Sequence, residues 1–378
     1  MSVVAEGAPL LVLAVMDTAI VSGPGRQLAA IVGPLAERNI DIRPVLIRRA
    51  AWKQHDYADF LTSRGIAYEM LTDRHALDFR PAVQFRRLLE RERPAIVQTH
   101  GYRPTTLAVL AGIPARRWKW IGFHHGRTNE GPKVRMYHRI DLKLLPASDQ
   151  VVVVARSQRS LFSEAVPVTV IQNAVLSDTA AQGADRGAPS PLESISTLPR
   201  PWVGVVGRLS PEKGVDIFLQ SCRHLLNEGV PITAVIAGDG PERQALEELA
   251  RALGLSQVRF LGHVRDVGAL YRVLDLVVLP SRSEGLPNTL LEAINAGCRS
   301  VATDVGAVAE VLEDPLLGLV VPPDAPVELA AAIRRLLASD ATEASRLART
   351  RVLDRYSLSA RVAAHEELYR RLLVEMPG

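Results

Sequence analysis

Short apolar runs alternate with stretches of helical period along almost the whole chain, and that alternation restricts the possible folds more than any single motif does. From residue 10 onward LLVLAVM is followed by RQLAAIVGPLAERN, then by IRPVLI, a helical stretch over 57–63, IAYEML, PAVQFRRLLERE and AIVQTHG, with WIGF and QVVVVA continuing the series. Strands separated by helices must be joined by crossovers lying on a face of the sheet. The pattern predicts an α/β architecture of parallel strands with right-handed connections.

The alternation stops once. Residues 178–201, DTAAQGADRGAPSPLESISTLPRP, are rich in Ala, Gly, Ser and Pro and nearly free of bulky apolar side chains, which suits a linker. It then restarts with WVGVV, a helix from Val215, ITAVIAG, PERQALEELARALG, VRFLG, LVVLP, NTLLEAINAG, RSVAT and GLVVPP. A chain of 378 residues exceeds what one core usually supports, so we expect a first domain over 1–177, a linker over 178–200, a second domain over 201–355, and a closing helix over 356–378 that could pack back on the first domain. Two open sheets facing each other leave a cleft at the carboxyl ends of their strands, where ligands bind in such sheets.

Composition excludes several classes. Hydrophobic residues at 47% and charged residues at 23% fit a globular protein rather than a disordered one. Two cysteines, Cys222 and Cys298, cannot build a disulfide framework, and a reducing, cytoplasmic setting is expected. The run from Leu10 to Met16 lacks a basic flank and is too short for a signal core or a bilayer span. Net charge is +4, but residues 1–175 hold 24 Lys/Arg against 15 Asp/Glu, while the remainder hold 21 against 26. The basic half, with ARRWKW at 115–120 and QFRRLLERERP at 84–94, favours an anionic membrane surface. No nucleic-acid motif accompanies these residues, so no nucleic-acid partner is expected.

The chemistry concentrates in SRSEGLPNTLLEA, residues 281–293. Pro287 suits the first position of a helix, which begins there or at Asn288. The amides and dipole at that end form a site for a phosphate, and Gly285 lets a ligand approach the backbone. Glu284 at the mouth and Glu292 inside the helix are poor neighbours for phosphate but good acceptors for sugar hydroxyls. The pattern asks for a diphosphate between two sugar rings. In VGVVGRLSPEKGVD, residues 203–216, Arg208 and Lys213 flank a short loop after a strand, where two cations can meet that diphosphate and stabilise charge on a departing phosphate. Taken alone, each stretch also reads as a solvated loop.

GRLSPEKG, AGDGPE, VRFLGHV and SRSEGLPNTLLEA, in this order and spacing, resemble glycosyltransferase family 4 over nearly the whole chain, with Glu284 and Glu292 at the ends of its E-x7-E motif. The resemblance implies the GT-B fold, two Rossmann-like domains with parallel sheets facing a central cleft, an acceptor-side first domain and a nucleotide-sugar-binding second one. It implies a retaining transferase in which Arg208 and Lys213 hold the donor diphosphate, Glu292 the ribose, Glu284 the donor sugar, and the backbone across Gly285, Leu286, Asn288 and Thr289 meets phosphate and sugar. His125, followed by Gly126 in FHHGRTNEG, matches the family histidine near the reacting sugar carbon, and Gly23 and Gly25 in SGPGRQ match its glycine-rich loop, leaving room for donor phosphate and acceptor. His124 is read as packed or solvent-facing, and His100 as structural.

No cofactor and no metal are expected. Asp-x-Asp is absent, as is any His- or Cys-rich metal cluster, so protein cations should partner the diphosphate of a nucleotide-sugar donor. The acceptor class implied is a glycan, glycolipid or lipid-linked hydroxyl, in cell-surface polysaccharide or glycolipid synthesis at the inner face of a membrane. Retention allows a covalent carboxylate intermediate or same-face attack. Three positions depart from the family pattern, Ala174 after Asn173, Arg299 after Cys298, and Ala307 after Gly306, and put loop geometry in question. A nucleotide-sugar epimerase on the same fold is the alternative, and a non-catalytic binding subunit a further one.

Overall fold

The computed structural model describes residues 8–374, apart from 51, 53, 75–77, 113–115, 127–131, 177–194, 265 and 340–341. The chain forms two compact units. One holds the chain up to Ala174 and resumes with Leu358; the other runs from Val175 to Ser357.

The first unit carries β1 (Leu10–Met16), β2 (Ile40–Arg49), β3 (Glu69–Asp73), β4 (Ile96–His100), β5 (Lys119–His124), β6 (Gln150–Val153) and β7 (Val168–Val170), interleaved with α1 (Gly23–Ala36), α2 (Asp56–Ser63), α3 (Arg80–Glu92), α4 (Tyr102–Ala111) and α5 (Pro132–Leu144). All its strand pairings are parallel, in the order β3-β2-β1-β4-β5-β6-β7. Burial on both faces explains the near-continuous apolar strands, such as LLVLAVM in β1.

The second unit carries β8 (Trp202–Val206), β9 (Thr233–Ala237), β10 (Val258–Gly262), β11 (Leu276–Leu279), β12 (Ser300–Thr303) and β13 (Gly318–Val321), with α6 (Val215–Asn227), α7 (Arg243–Ala252), α8 (Val267–Val273), α9 (Asn288–Asn295), α10 (Val308–Val311), α11 (Pro326–Leu337) and α12 (Thr342–Arg355). Its six-stranded sheet is again parallel, in the order β10-β9-β8-β11-β12-β13. Each sheet reverses its winding beside its first strand, between β1 and β4 and between β8 and β11. Such switch points open a crevice at the carboxyl ends of the strands.

Helix α13 (Leu358–Val374) belongs to the first unit, where Val362, Leu368, Tyr369 and Leu372 join the core with Leu28, Ile31 and Phe123. Each large apolar side chain buried this way stabilises the unit by roughly 1.5–3 kcal/mol. Arg361 on the same helix is buried too, and donates from Nη1 to the carbonyl of Gln172 at 2.6 Å.

Two features differ from the sequence reading. Most of the expected linker lies outside the described residues, but Ile195 is buried and the Trp202 indole donates to the Leu198 carbonyl at 3.2 Å, so packed structure of the second unit begins by residue 195. The tryptophans of 115–120 are not surface aromatics. Trp118 and Trp120 are 8% and 1% exposed and pack with Phe85 and Leu88, because strand alternation and the α3 apolar stripe close over them. Arg116 lies 5.8 and 5.7 Å from their ring centroids. Ala115 lies outside the described residues.

Candidate active site

In the second unit the loops that follow β8 and β11 lie side by side at the switch point. Glycine makes close approaches possible at two positions, Gly214 between these loops and Gly306 where the loop after β12 meets the second of them. Gly214 has φ +62, and a Cβ there would fall 2.0 Å from the Pro280 carbonyl oxygen; Gly306 has φ +59, and its Cβ would fall 2.3 Å from the Glu284 carbonyl oxygen. Both positions combine a left-handed backbone with a contact that no side chain tolerates. The Ala307 amide donates to the Gly285 carbonyl at 2.9 Å, which pins the 284–285 turn from behind.

These contacts bring Lys213 and Glu284 together. Lys213 Nζ donates to Glu284 Oε1 at 2.7 Å, and the Ser281 hydroxyl donates to the same oxygen at 2.7 Å. The Glu284 side chain is 9% exposed and Lys213 26%, so the charge pair is largely desolvated, and losing one member would strand the other. Lys213 retains further N–H donors, and Glu284 retains Oε2, for other partners.

Arg282 is the residue that the sequence analysis missed. Its guanidinium donates from Nη1 and Nη2 to Asp216 at 2.8 and 2.7 Å, from Nε to Asp324 at 2.6 Å, and from Nη1 to the Pro211 carbonyl at 2.9 Å. Its own amide donates to the Glu212 carbonyl at 2.8 Å. Hydrogen bonds to Asp216 above all push its pKa up, so it stays charged and ties one loop to the other. The only signal in the sequence was opposite charge in two loops, and nothing in their spacing paired them.

Helix α9 starts at Asn288, with Pro287 at the cap rather than at the first helical position, where φ −75 and ψ 104 are extended. No side chain caps it, so the positive end of its dipole stays open to an anion. Leu286 is buried, while Asn288, Thr289 and Glu292 are half-buried. The Thr289 hydroxyl lies 3.5 Å from the Val206 carbonyl at the end of β8. Arg208 is exposed in the loop after that strand.

In the first unit, α1 opens at Gly23 with the Ser22 side chain accepting from the Gly25 amide at 3.2 Å, a regular N-cap. The space beside Gly25 is occupied by the chain itself. A Cβ there would meet the Tyr57 ring at 2.7 Å, and the Tyr57 hydroxyl donates to the Gly25 carbonyl at 2.9 Å. The missing side chain at Gly25 thus serves internal packing. Gly23 is half-buried at the helix start.

His125 follows the end of β5 and sits in a stack of rings. His100 Nδ1 lies 2.7 Å from His125 Nε2, with ring centroids 5.0 Å apart, and the Phe123 ring lies 4.6 Å from His100 and 5.9 Å from His125. His100 Nε2 is 3.1 Å from Gln98 Nε2, and the Tyr369 hydroxyl donates to Gln98 Oε1 at 2.5 Å. Burial, with the buried Arg361 cation nearby, pushes His100 down to about 3, and burial pushes His125 well below the ordinary histidine value. These imidazoles are neutral at pH 7. His124 is buried, with Nδ1 3.9 Å from Asp141. Among the described residues no group of three or more His, Cys, Asp and Glu could hold a metal ion.

Two family models match the chain. That for Glycosyltransferase Family 4 covers residues 21–178, and that for Glycosyl transferases group 1 covers residues 200–339, together well over half of the chain. The lipopolysaccharide core biosynthesis mannosyltransferase LpcC of Rhizobium leguminosarum bv. viciae is 35% identical over 223 residues, 53% of this chain and 62% of that protein. The alpha-D-kanosaminyltransferase of Streptomyces kanamyceticus is 40% identical over 142 residues, 36% of each chain. The chain therefore spans 62% and 36% of the lengths of these two relatives. Among solved structures, Anabaena Alr3699/HepE in complex with UDP and glucose superposes with a TM-score of 0.79 at 19% identity, covering 96% of this chain and 100% of that one, a likeness of fold.

Proposed function

Because the chain belongs to glycosyltransferase family 4, we propose that it moves a sugar from a nucleotide diphosphate donor to a hydroxyl of a glycan, glycolipid or lipid-linked acceptor, with retention at the sugar carbon. The observation that carries this reading is the Lys213–Glu284 pair, a cation and a carboxylate 2.7 Å apart between two loops at the switch point of the second sheet. Lys213 and Arg208, with the open end of α9, suit a diphosphate, and such cations suit a donor site without a resident metal. Glu284 suits the hydroxyls of the donor sugar, Glu292 those of the ribose, and the backbone across Gly285, Leu286, Asn288 and Thr289 the phosphate between them. His125, as a neutral imidazole, suits a contact with the donor sugar.

During transfer, negative charge builds on the departing phosphate. Lys213 and Arg208 would meet it there without reorganising, which is the largest contribution a preorganised site makes. The relatives include enzymes named for lipopolysaccharide core synthesis, which favours a saccharide or lipid-linked acceptor.

Thermal stabilisation by UDP-, GDP- and ADP-sugars identifies the donor, since specific binding raises the melting temperature by mass action. Turnover of that sugar with and without saccharide acceptors then separates transfer from epimerisation, which needs no acceptor. No stabilisation by any sugar nucleotide would overturn the proposal.

We also propose peripheral attachment to an anionic membrane. Phe79 and Val83 at the start of α3 are 76% and 52% exposed beside Arg80, Arg86 and Arg87, the mixture that interfacial helices use. No described helix is long and apolar enough to cross a membrane. Cosedimentation with phosphatidylglycerol vesicles, lost in Phe79→Asp, is the expected result.

A further inference from the structure

The polar chain behind His125 has a direction. Tyr369 is fully buried on α13, and Gln98 is its hydrogen-bond partner. A phenol in that position needs an acceptor for its proton, so the amide oxygen of Gln98 faces Tyr369 and the amide nitrogen faces His100. An amide nitrogen only donates. His100 Nε2, 3.1 Å away, must therefore be the unprotonated nitrogen of a neutral ring, which puts the His100 proton on Nδ1. That proton points at His125 Nε2, 2.7 Å distant, which in turn must be bare.

We infer that Gln98 and Tyr369, acting through His100, hold the proton of His125 on Nδ1, the nitrogen not bonded to His100, and so make His125 a hydrogen-bond donor at that atom. Gln98, His100 and Tyr369 are positioning residues in this arrangement. The planes of Phe123, His100 and His125 lie within 15–22° of one another, which leaves the 2.7 Å contact between the two imidazoles close to the plane of both rings. Burial and the Arg361 cation oppose protonation of the rings, and a chain of neutral groups can carry only one proton order at a time. The consequence for activity rests on the proposed contact of His125 with the donor sugar. A donor at Nδ1 would serve a sugar oxygen carrying lone pairs, where a bare nitrogen would repel it.

The test reverses the order. In Gln98→Glu a carboxylate kept ionised by the nearby Arg361 cation only accepts, so it accepts the Tyr369 hydrogen bond and requires another donated from His100 Nε2. His100 Nδ1 then becomes an acceptor, His125 must donate from Nε2, and Nδ1 is left bare. Nitrogen-15 NMR of the imidazole side chains in the full-length protein reads this directly, as a proton on Nδ1 of His125 in the natural chain and on Nε2 in Gln98→Glu. Tyr369→Phe, which only frees the amide to flip, should give a mixture of both forms, and it serves should Gln98→Glu fold poorly. His125 keeping its proton on Nδ1 in both variants, with native melting, overturns the inference.

Turnover of UDP-glucose and GDP-mannose separates this from the functional reading. A kcat/KM lowered about tenfold in Gln98→Glu, the worth of one hydrogen bond, with affinity for UDP or GDP unchanged, joins the relay to the sugar. A reversed proton with unchanged turnover retains the relay and rejects the contact between His125 and the sugar.

Discussion

The strand ends of the two units solve opposite problems. In the second unit the loops after β8 and β11 carry Lys213, Glu284 and Arg282, with Lys213 held to Glu284 and Arg282 shared between Asp216 of α6 and Asp324 beyond β13 at 2.6–2.8 Å. In the first unit the end of β5 is backed by neutral rings and an amide, with His100 and Gln98 buried. Charges can sit near the surface and still be useful, because a diphosphate competes with solvent for them. Neutral groups that must hold one proton order need burial, since water would scramble it. One edge is thus organised by electrostatics and the other by desolvation.

The largest expected effect falls on the charged edge. Lys213→Ala should lower turnover about 10²- to 10³-fold, as loss of one preorganised donor to a developing oxyanion does, and should also leave Glu284 in a largely dry site without its cation. Steady-state kinetics with the stabilising nucleotide sugar measures it. A rate within a few-fold of the natural chain would remove electrostatics from that edge.

Acid should attack the other edge first. Burial pushes His100, and His365 of α13 whose ring lies 5.8 Å from Phe123, down to about 3, so each folded ring resists a proton that the unfolded chain binds below about pH 6.5. The unfolded state holds more protons across that window, and stability therefore falls as pH drops from about 6.5 toward 3, by about 1.4 kcal/mol per pH unit for each ring. Denaturant unfolding of the first unit at pH 7 and pH 5 checks the sign. A stability flat between those values would mean that the rings are hydrated.

Gly306→Ala tests whether backbone packing, rather than charge, places the carboxylate. The substitution forces a Cβ toward the Glu284 carbonyl in a left-handed backbone, and should cost roughly 1–3 kcal/mol while lowering turnover. Native melting and native turnover together would show that the loops adapt. The smallest effect is expected from Arg282→Lys, which keeps the charge and loses the fork. A loss of about 1 kcal/mol and a raised KM for the nucleotide sugar are predicted, because a point charge cannot span Asp216 and Asp324 together.

Much of the second unit was legible in the sequence. A helix starting at Val215, strands at WVGVV and ITAVIAG, and the two charged loops all follow from local periodicity and from Gly and Pro placement. The same local reading stops short in particular places for identifiable reasons. At Gly25 nothing along the chain points to Tyr57, whose ring fills the space beside it. At 115–120 basic residues next to tryptophans suggested a surface, because local pattern does not reveal that α3 covers that strand. His100 read as an isolated structural histidine because its partners lie on other elements.

Local pattern dictates two α/β units and the loops that carry charge, since period, turn residues and chain entropy act over a few neighbouring residues. Which groups meet is fixed only on folding. Arg282 finds Asp216 across 66 positions, and Tyr369 finds Gln98 across 271, when sheet order and helix docking bring them together. Hydrogen bonds of this kind depend on distances of a few tenths of an ångström, and no spacing along a chain encodes such distances between elements that are joined only by folding.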